Sequence, residues 1–345
     1  MTDAAVLQTA EVPAGSPGRR PRLGFLGVGW IGRHRMEAAI GTGLVDTIGV
    51  ADPSADARDS ALALAPGGRA AADLDALLGL GIDGLVIATP SAQHADQAIR
   101  ALEAGVAVFC QKPLGRSAAE TMRVIEAARR SDRLLAVDLS YRFTEGMRRI
   151  RELAQAGALG RVFACDLVFH NAYGPDKPWF YDPALSGGGC VMDLGVHLAD
   201  LALWTLDFPQ VTKVSSVLMA QGLPLRAAPA QAEDYAAATL ELETGAVVRL
   251  ACSWRLHAGR DAEISAAFYG SNGGAVMRNV DGSFYDFTAE HLQGVARQTL
   301  ASPPDDWGGR AVVHWTRRLA AGARFDPECE RLAETAAVLD RIYGR

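Results

Sequence analysis

From Leu23 to about Val137 short apolar runs alternate with stretches of helical spacing. The apolar runs Leu23–Val28, Thr47–Ala51, Gly84–Ala88, Ala107–Cys110 and Leu134–Val137 read as strands. Between them Ile31–Ile40, Ala55–Leu64, Leu74–Leu78, Ala95–Ala104 and Ala118–Arg130 read as helices, the last opened by Ser117 with Glu120 three residues on, a capping box. Regular strand–helix alternation predicts an α/β, doubly wound parallel sheet with helices on both faces. After Tyr141 the pattern changes. A helix over Glu145–Ala156 stops at Gly157, a strand follows at Arg161–Phe169, and an aromatic loop from His170 to Tyr181 leads through Gly187-Gly188-Gly189 into a helix over Val191–Leu206. Strands are predicted at Val211–Met219, Tyr235–Glu243, Ala246–Leu256 and Ala262–Tyr269, with Thr244-Gly245 as a hairpin turn. Gly273-Gly274 and Pro303-Pro304 read as loops, and Glu328–Ile342 as a closing amphipathic helix. Strands joined by hairpins predict an α+β unit with a mostly antiparallel sheet. The expected organisation is a loose tail over residues 1–21, a first domain over 22–140 and a second over 141–345, with the last helix free to pack back on the first domain.

Composition narrows the classes. The 345 residues suffice for two domains, and 49% hydrophobic with 21% charged residues is a globular balance. A net charge of −6 without a long basic run argues against a nucleic-acid partner. No apolar run approaches the roughly 20 residues that span a bilayer, so no membrane partner is expected. Cys110, Cys165, Cys190, Cys252 and Cys329 are scattered and odd in number, which points to reduced thiols, no structural zinc and a cytoplasmic location. Arg19-Arg20 precede a glycine-rich strand rather than an export signal's apolar stretch, and read as tail.

The chemistry starts at Gly27-Val-Gly29-Trp30-Ile31-Gly32, between the first strand and first helix. Gly27 allows the tight turn, Gly29 admits a pyrophosphate to the backbone, and Gly32 lets helix and strand pack closely. The pyrophosphate sits at the helix N-terminus, where free N–H groups favour an anion. Asp52 ends the second strand 20 residues beyond Gly32, where a carboxylate accepts from ribose hydroxyls and repels a 2′-phosphate. The first domain is therefore expected to be a Rossmann domain binding NAD in preference to NADP. Thr89-Pro90 and Gln111-Lys112-Pro113 end later strands and fall at the same crevice, with His94 just beyond the first of these turns. Lys112 follows a buried-looking strand and is expected to point into the crevice, where it can polarise a substrate oxygen.

Asp193 and His197 stand four apart in the helix after the triple glycine, on one face if that segment is helical. A histidine there suits proton exchange with an alcohol. Without a third ligand or an H-E-x-x-H pattern, no metal is expected. Tyr141-Arg142 lie where the domains join, and Asn171, Tyr173, Trp179 and Tyr181 make an aromatic loop suited to the apolar face of a sugar or to a dimer contact. His34 is expected at the surface of the first helix.

Together Gly27–Gly32, Ala88-Thr89-Pro90 with His94, Lys112-Pro113 and Asp193-x-Gly-x-His197 resemble the glucose-fructose oxidoreductase / inositol dehydrogenase / MocA-like family, in order over nearly the whole chain. The resemblance implies an open, mostly antiparallel sheet in the second domain, homodimers or homotetramers through that sheet, and NAD(P)-linked oxidation or reduction of a secondary hydroxyl on a sugar, sugar derivative or inositol. It implies that Lys112, Asp193 and His197 are catalytic, and that Gly27, Gly29, Trp30, Ile31, Gly32, Asp52, Thr89, Pro90, His94, Gln111 and Lys112 hold the cofactor. Tyr141, Arg142, Asn171, Tyr173 and Trp179 join Asp193 and His197 as expected substrate-binding residues, with specificity in residues 141–143, 170–185 and 254–260. One position departs from the family: its Glu-Lys-Pro glutamate is Gln111 here. Two other readings stand beside this one, an enzyme that uses tightly held NAD transiently and a non-catalytic nucleotide sensor.

Overall fold

The structure is a computed structural model that describes residues 19–225 and 231–345; apart from Arg19–Pro21, the expected tail lies outside it. Six parallel strands, β1 (Arg22–Leu26), β2 (Asp46–Ala51), β3 (Arg69–Ala70), β4 (Gly84–Ile87), β5 (Ala107–Cys110) and β6 (Leu135–Val137), lie in the order β3-β2-β1-β4-β5-β6. Helices α1 (Trp30–Gly41), α2 (Ala55–Leu62), α3 (Leu74–Gly79), α4 (Ser91–Glu103) and α5 (Ala118–Ser131) connect them. Every residue of β4 and β5 is buried, as expected where both faces of a parallel sheet are covered. Leu85, Ile87 and Val108 join one apolar core and Val86 and Phe109 another, on opposite faces. The strand order reverses between β1 and β4, and this opens a crevice beyond their C-terminal ends. The Ser117 hydroxyl caps α5 by accepting from the Glu120 N–H at 3.2 Å, while the Glu120 carboxylate turns back to Arg116.

A 3₁₀ turn at Ser140–Phe143 and helix α6 (Glu145–Gln155) lead into the second domain. Its sheet contains β7 (Val162–Asn171), β8 (Val211–Ala220), β9 (Leu223–Pro224), β10 (Tyr235–Leu242), β11 (Val247–Ser253), β12 (Ala262–Gly270), β13 (Gly274–Asn279), β14 (Phe287–Gln293) and β15 (Ala296–Ala301). The order is β15-β14-β13-β12-β7-β11-β10-β8-β9, parallel between β7 and β11 and antiparallel at the other pairings. One face packs on α6 and α8 (Val196–Thr205), whereas the other leaves Phe163, Val217 and Val247 exposed. Between β7 and α8 lie the short α7 (Pro183–Ser186) and a π-helical turn, Val191–Gly195, so the expected continuous helix over 191–206 is divided.

Besides the short strands β3 and β9, two longer segments also differ from the sequence reading. Gly274 is not loop but the first residue of β13, and β14 and β15 follow it where no strands were expected. β15 is an edge strand and β14 lies between it and β13; each mixes polar with apolar residues, and their pairing comes from the sheet rather than from a continuous apolar run. Helix α9 (Arg310–Ala320) was also not expected. It packs on α1 and sets Trp315 against Phe109 of β5, while α10 (Arg331–Tyr343) packs on α5, so the chain beyond residue 310 returns to the first domain. Among the described residues no helix is long and apolar enough to cross a membrane.

Candidate active site

A cleft of about 860 Å³ runs from the crevice of the parallel sheet to the inner edge of the second domain. Its first wall is the glycine turn. Gly27 has φ +82°, and a Cβ there would lie 2.5 Å from the Ala88 carbonyl oxygen. A Cβ on Gly32 would come within 2.0 Å of the Gly27 carbonyl oxygen, whereas one on Gly29 would meet no protein atom within 4 Å, because that side is the cleft. Helix α1 starts at Trp30 with no side-chain cap and no acidic residue in its first turn. Its free N–H groups and the open side of Gly29 fit a pyrophosphate. Trp30 is exposed at the mouth, with Ile31 beside it. Asp52 accepts the Val28 N–H at 2.8 Å on Oδ2 and the Ser54 N–H at 2.9 Å on Oδ1, which fixes a carboxylate at the end of β2. Gly27, Gly32 and Asp52 shape or flank the cleft without lining it.

Lys112 leaves the end of β5 and reaches the π-helical turn. Its Nζ donates to the Asp193 backbone oxygen and to Asp193 Oδ1, both at 2.7 Å. Trp254 Nε1 donates to Asp193 Oδ2 at 3.0 Å, so both carboxylate oxygens are engaged. Asp193 therefore aims Lys112 and is not paired with His197, as four-residue helical spacing allowed. Buried Glu233 holds the turn that carries Asp193, accepting the Gly189 and Val191 N–H groups at 2.9 Å and the Tyr343 hydroxyl at 2.8 Å. A Cβ on Gly188 or Gly189 would fall within about 2 Å of Tyr343 or Glu233, which is why the turn needs small residues.

His197, in the first turn of α8, lines the cleft and packs edge-on against Tyr141 with centroids 4.9 Å apart. Among the described residues no protein group hydrogen-bonds its ring. Burial, reinforced by the Lys112 and Arg35 cations, pushes its pKa well below 6.5 and keeps it neutral. His94, in the first turn of α4, sits between the carbonyls of Thr89 and Pro113, with Nε2 and Nδ1 each 2.7 Å from one of them; the neutral ring donates its single N–H to one of the two, and so links the β4 turn with the Lys112-Pro113 turn. Gln111 donates through Nε2 to Asp138 Oδ2, which also accepts from Arg35 Nε at 2.5 Å.

Burial lowers the pKa of His94 and His197 alike from 6.5. Below about pH 6.5 the unfolded chain then binds more protons than the folded one, so stability falls as pH falls. The melting temperature is expected to drop from about pH 7 toward about pH 5.5, and His197→Gln to flatten that slope. An unchanged slope in the variant would count against a neutral, buried His197.

Several expected site residues lie elsewhere. Arg142 makes a bidentate pair with buried Asp200 and lies over the rings of Trp204 and Phe208, out of the cleft. Asn171 Oδ1 accepts the Tyr173 N–H at 2.6 Å, and the exposed Tyr173 bonds Asp261; neither lines the cleft. Trp179 does line it, stacked on Phe180 at 3.8 Å. His34 is not at the surface but half-buried in the cleft wall. The sequence reading missed Arg35, Asp138, Tyr285, Asp305 and Trp307, all lining residues. Tyr285 precedes β14 and Asp305–Trp307 precede α9, so these were lost with the unrecognised elements.

Known proteins resemble this chain in sequence and in fold. Residues 22–139 match a family model described as the oxidoreductase family, NAD-binding Rossmann fold, and residues 147–276 match the GFO/IDH/MocA C-terminal domain. Inositol 2-dehydrogenase of Leifsonia xyli subsp. xyli is 31% identical over 252 residues, covering 72% of this chain and 70% of that protein. D-glucoside 3-dehydrogenase of Escherichia coli (strain K12) is 27% identical over 212 residues, covering 58% of this chain. The match spans only 60% of that relative and 57% of the rhizopine catabolism protein MocA of Rhizobium meliloti, at 31% identity over 54% of this chain. Levoglucosan dehydrogenase in complex with NADH and levoglucosan has the same fold, with a TM-score of 0.79 at 20% identity over 94% of this chain and 96% of that one. With both domains matched in order, the chain belongs to the GFO/IDH/MocA oxidoreductase family.

Proposed function

We propose that the protein is an NAD-dependent oxidoreductase that acts on a secondary hydroxyl of a sugar, sugar derivative or inositol. The observation that carries this reading is one cleft with an anion-ready glycine turn at one end and a neutral His197 beside the Lys112–Asp193 pair further in. Relatives named as inositol and glucoside dehydrogenases support the substrate class. The Gly27–Gly32 turn and α1 would hold the pyrophosphate, Asp52 the adenosine ribose, and Thr89, Pro90 and Gln111 the nicotinamide half. Nicotinamide, when bound, supplies the hydride acceptor or donor.

The remaining work falls to side chains. His197 takes the hydroxyl proton during oxidation and returns it during reduction. The ammonium of Lys112 has three donors, two of them engaged by Asp193, which leaves one for the substrate oxygen on which charge develops. Asp193 keeps that donor aimed. Trp179, Phe180, Tyr285 and Trp307 offer aromatic walls to the C–H face of a sugar ring.

The test is NADH absorbance during incubation with NAD and a panel of sugars, sugar acids and inositols, repeated with NADP. Growth with one substrate class is expected, faster with NAD. Asp52→Asn keeps the shape and removes the charge, and should lower the NAD-over-NADP preference about tenfold, the equivalent of roughly 1.4 kcal/mol. An unchanged preference removes Asp52 from the cofactor reading. A chain that neither binds NAD nor changes any substrate refutes the activity.

A further inference from the structure

The resemblance leads one to expect a glutamate where this chain has Gln111, and the structure shows a carboxylate next door. Gln111 follows β5 and Asp138 follows the adjacent β6. Asp138 is 1% exposed, and its Oδ2 accepts both from Gln111 Nε2 and from Nε of the buried Arg35. Its Oδ1 has no partner. A glutamate at 111 would set a second carboxylate against this one with one guanidinium to balance both, so the two acids exclude each other.

We propose that Gln111 and Asp138 act as one unit presenting an acceptor to the nicotinamide riboside, with buried Asp138 fixing which end of the Gln111 amide faces the cleft. This rests on the NAD reading above. An amide's oxygen and nitrogen have the same shape, so the hydrogen-bond network decides which one faces the cleft. Asp138 holds Nε2, and Oε1 is left to the cleft that Gln111 lines, with no partner among the described residues. The ends of β4, β5 and β6 lie on the nicotinamide side of the crevice, because Asp52 at the end of β2 marks the adenosine side. The polar groups of a nicotinamide riboside that can meet an acceptor are its ribose hydroxyls and its carboxamide NH₂, all donors. Asp138 is thus a positioning residue that acts through Gln111. Arg35 neutralises it, so the acceptor is kept without a net negative charge under a cationic ring.

The experiment compares the full chain with Asp138→Asn, Gln111→Glu, the double variant and Gln111→Met, using NADH fluorescence titration, steady-state kinetics and melting temperature. In Asp138→Asn the asparagine oxygen stays with Arg35 and its NH₂ meets Gln111, whose amide turns and presents a donor to the cleft. NADH affinity and the KM for NAD should each worsen about tenfold, as for an inverted hydrogen bond, with the KM for the sugar moved less than about twofold. Gln111→Glu should weaken NADH about tenfold or more, and the double variant, with the acid returned to 111, should recover to within about threefold of the parent. Gln111→Met removes the acceptor together with the donor to Asp138 Oδ2, while the direct Arg35–Asp138 contact remains, and should also lose about tenfold. Where the NAD analogue with an acetyl group in place of the carboxamide erases the Asp138→Asn penalty, the donor is the carboxamide; where the penalty persists, it is a ribose hydroxyl. Additive losses in the double variant, or a Gln111→Met chain that binds NADH like the parent, overturn the proposal alone. A parent chain that binds no NADH overturns it together with the NAD reading.

Discussion

Replacing His197 with asparagine is expected to lower turnover about a hundredfold to ten-thousandfold, the range for loss of a positioned general base, with NADH affinity within about twofold of the parent. Burial and two nearby cations hold His197 neutral, so the ring is ready to accept a proton and costs little to keep in that state. Asparagine roughly preserves its reach and polarity but cannot take the proton, so the loss should fall on kcat rather than on cofactor binding. The pH profile carries a second, signed consequence. With the imidazole pKa held down, oxidation should stay flat well below pH 6.5, the ordinary histidine value. Reduction needs the protonated ring and should slow as pH rises above that depressed pKa. A variant turning over at near-parental rate, or an oxidative profile that falls with an ordinary histidine midpoint, would remove His197 from the role of base.

The parts of this site that sequence makes legible are those fixed by short-range backbone demands. The glycine turn, the proline-stopped strand ends at Pro90 and Pro113, and Lys112 directly after an apolar strand all carry their geometry within a few residues. The lost parts depend on partners far along the chain. Arg142 looks like a site residue beside Tyr141, but Asp200, 58 residues later, draws it away from the cleft. No local feature distinguishes that carboxylate from the others. Asn171 and Tyr173 share an aromatic loop with Trp179, and only the Asx-type turn closed by Asn171 shows that the loop turns outward before Trp179 turns in. Asp193 and His197 have helical spacing, yet a π-helical turn intervenes, and the register they share on paper is not the one the backbone adopts. A signal for α9 was present: Ala311, Val312, Trp315 and Leu319 repeat at helical spacing, and tracking it would have brought Asp305 and Trp307 to the cleft. For β14 the signal is only the short Phe287/Ala289 alternation, and β15 has no apolar run to mark it.

Replacing Lys112 with methionine is expected to lower kcat about a hundredfold to a thousandfold, the cost of removing one donor aimed at a developing oxyanion. Methionine fills much of the same volume, so the variant isolates the ammonium from the space it occupies. Asp193 would keep the Trp254 donor but lose both Lys112 contacts, and a modest fall in melting temperature should accompany the loss of the largely buried pair. The informative comparison is with Asp193→Asn. If Asp193 acts by aiming Lys112, the asparagine variant alone should lose less than the methionine variant, because the amide oxygen still accepts from Nζ. The double variant should be no slower than Lys112→Met, since a residue that works through another has nothing left to do once its partner is gone. Multiplying losses in that cycle would instead give Asp193 an independent role, such as a direct bond to a substrate hydroxyl, and would break the chain of support that runs from Glu233 and Trp254 through Asp193 to the lysine.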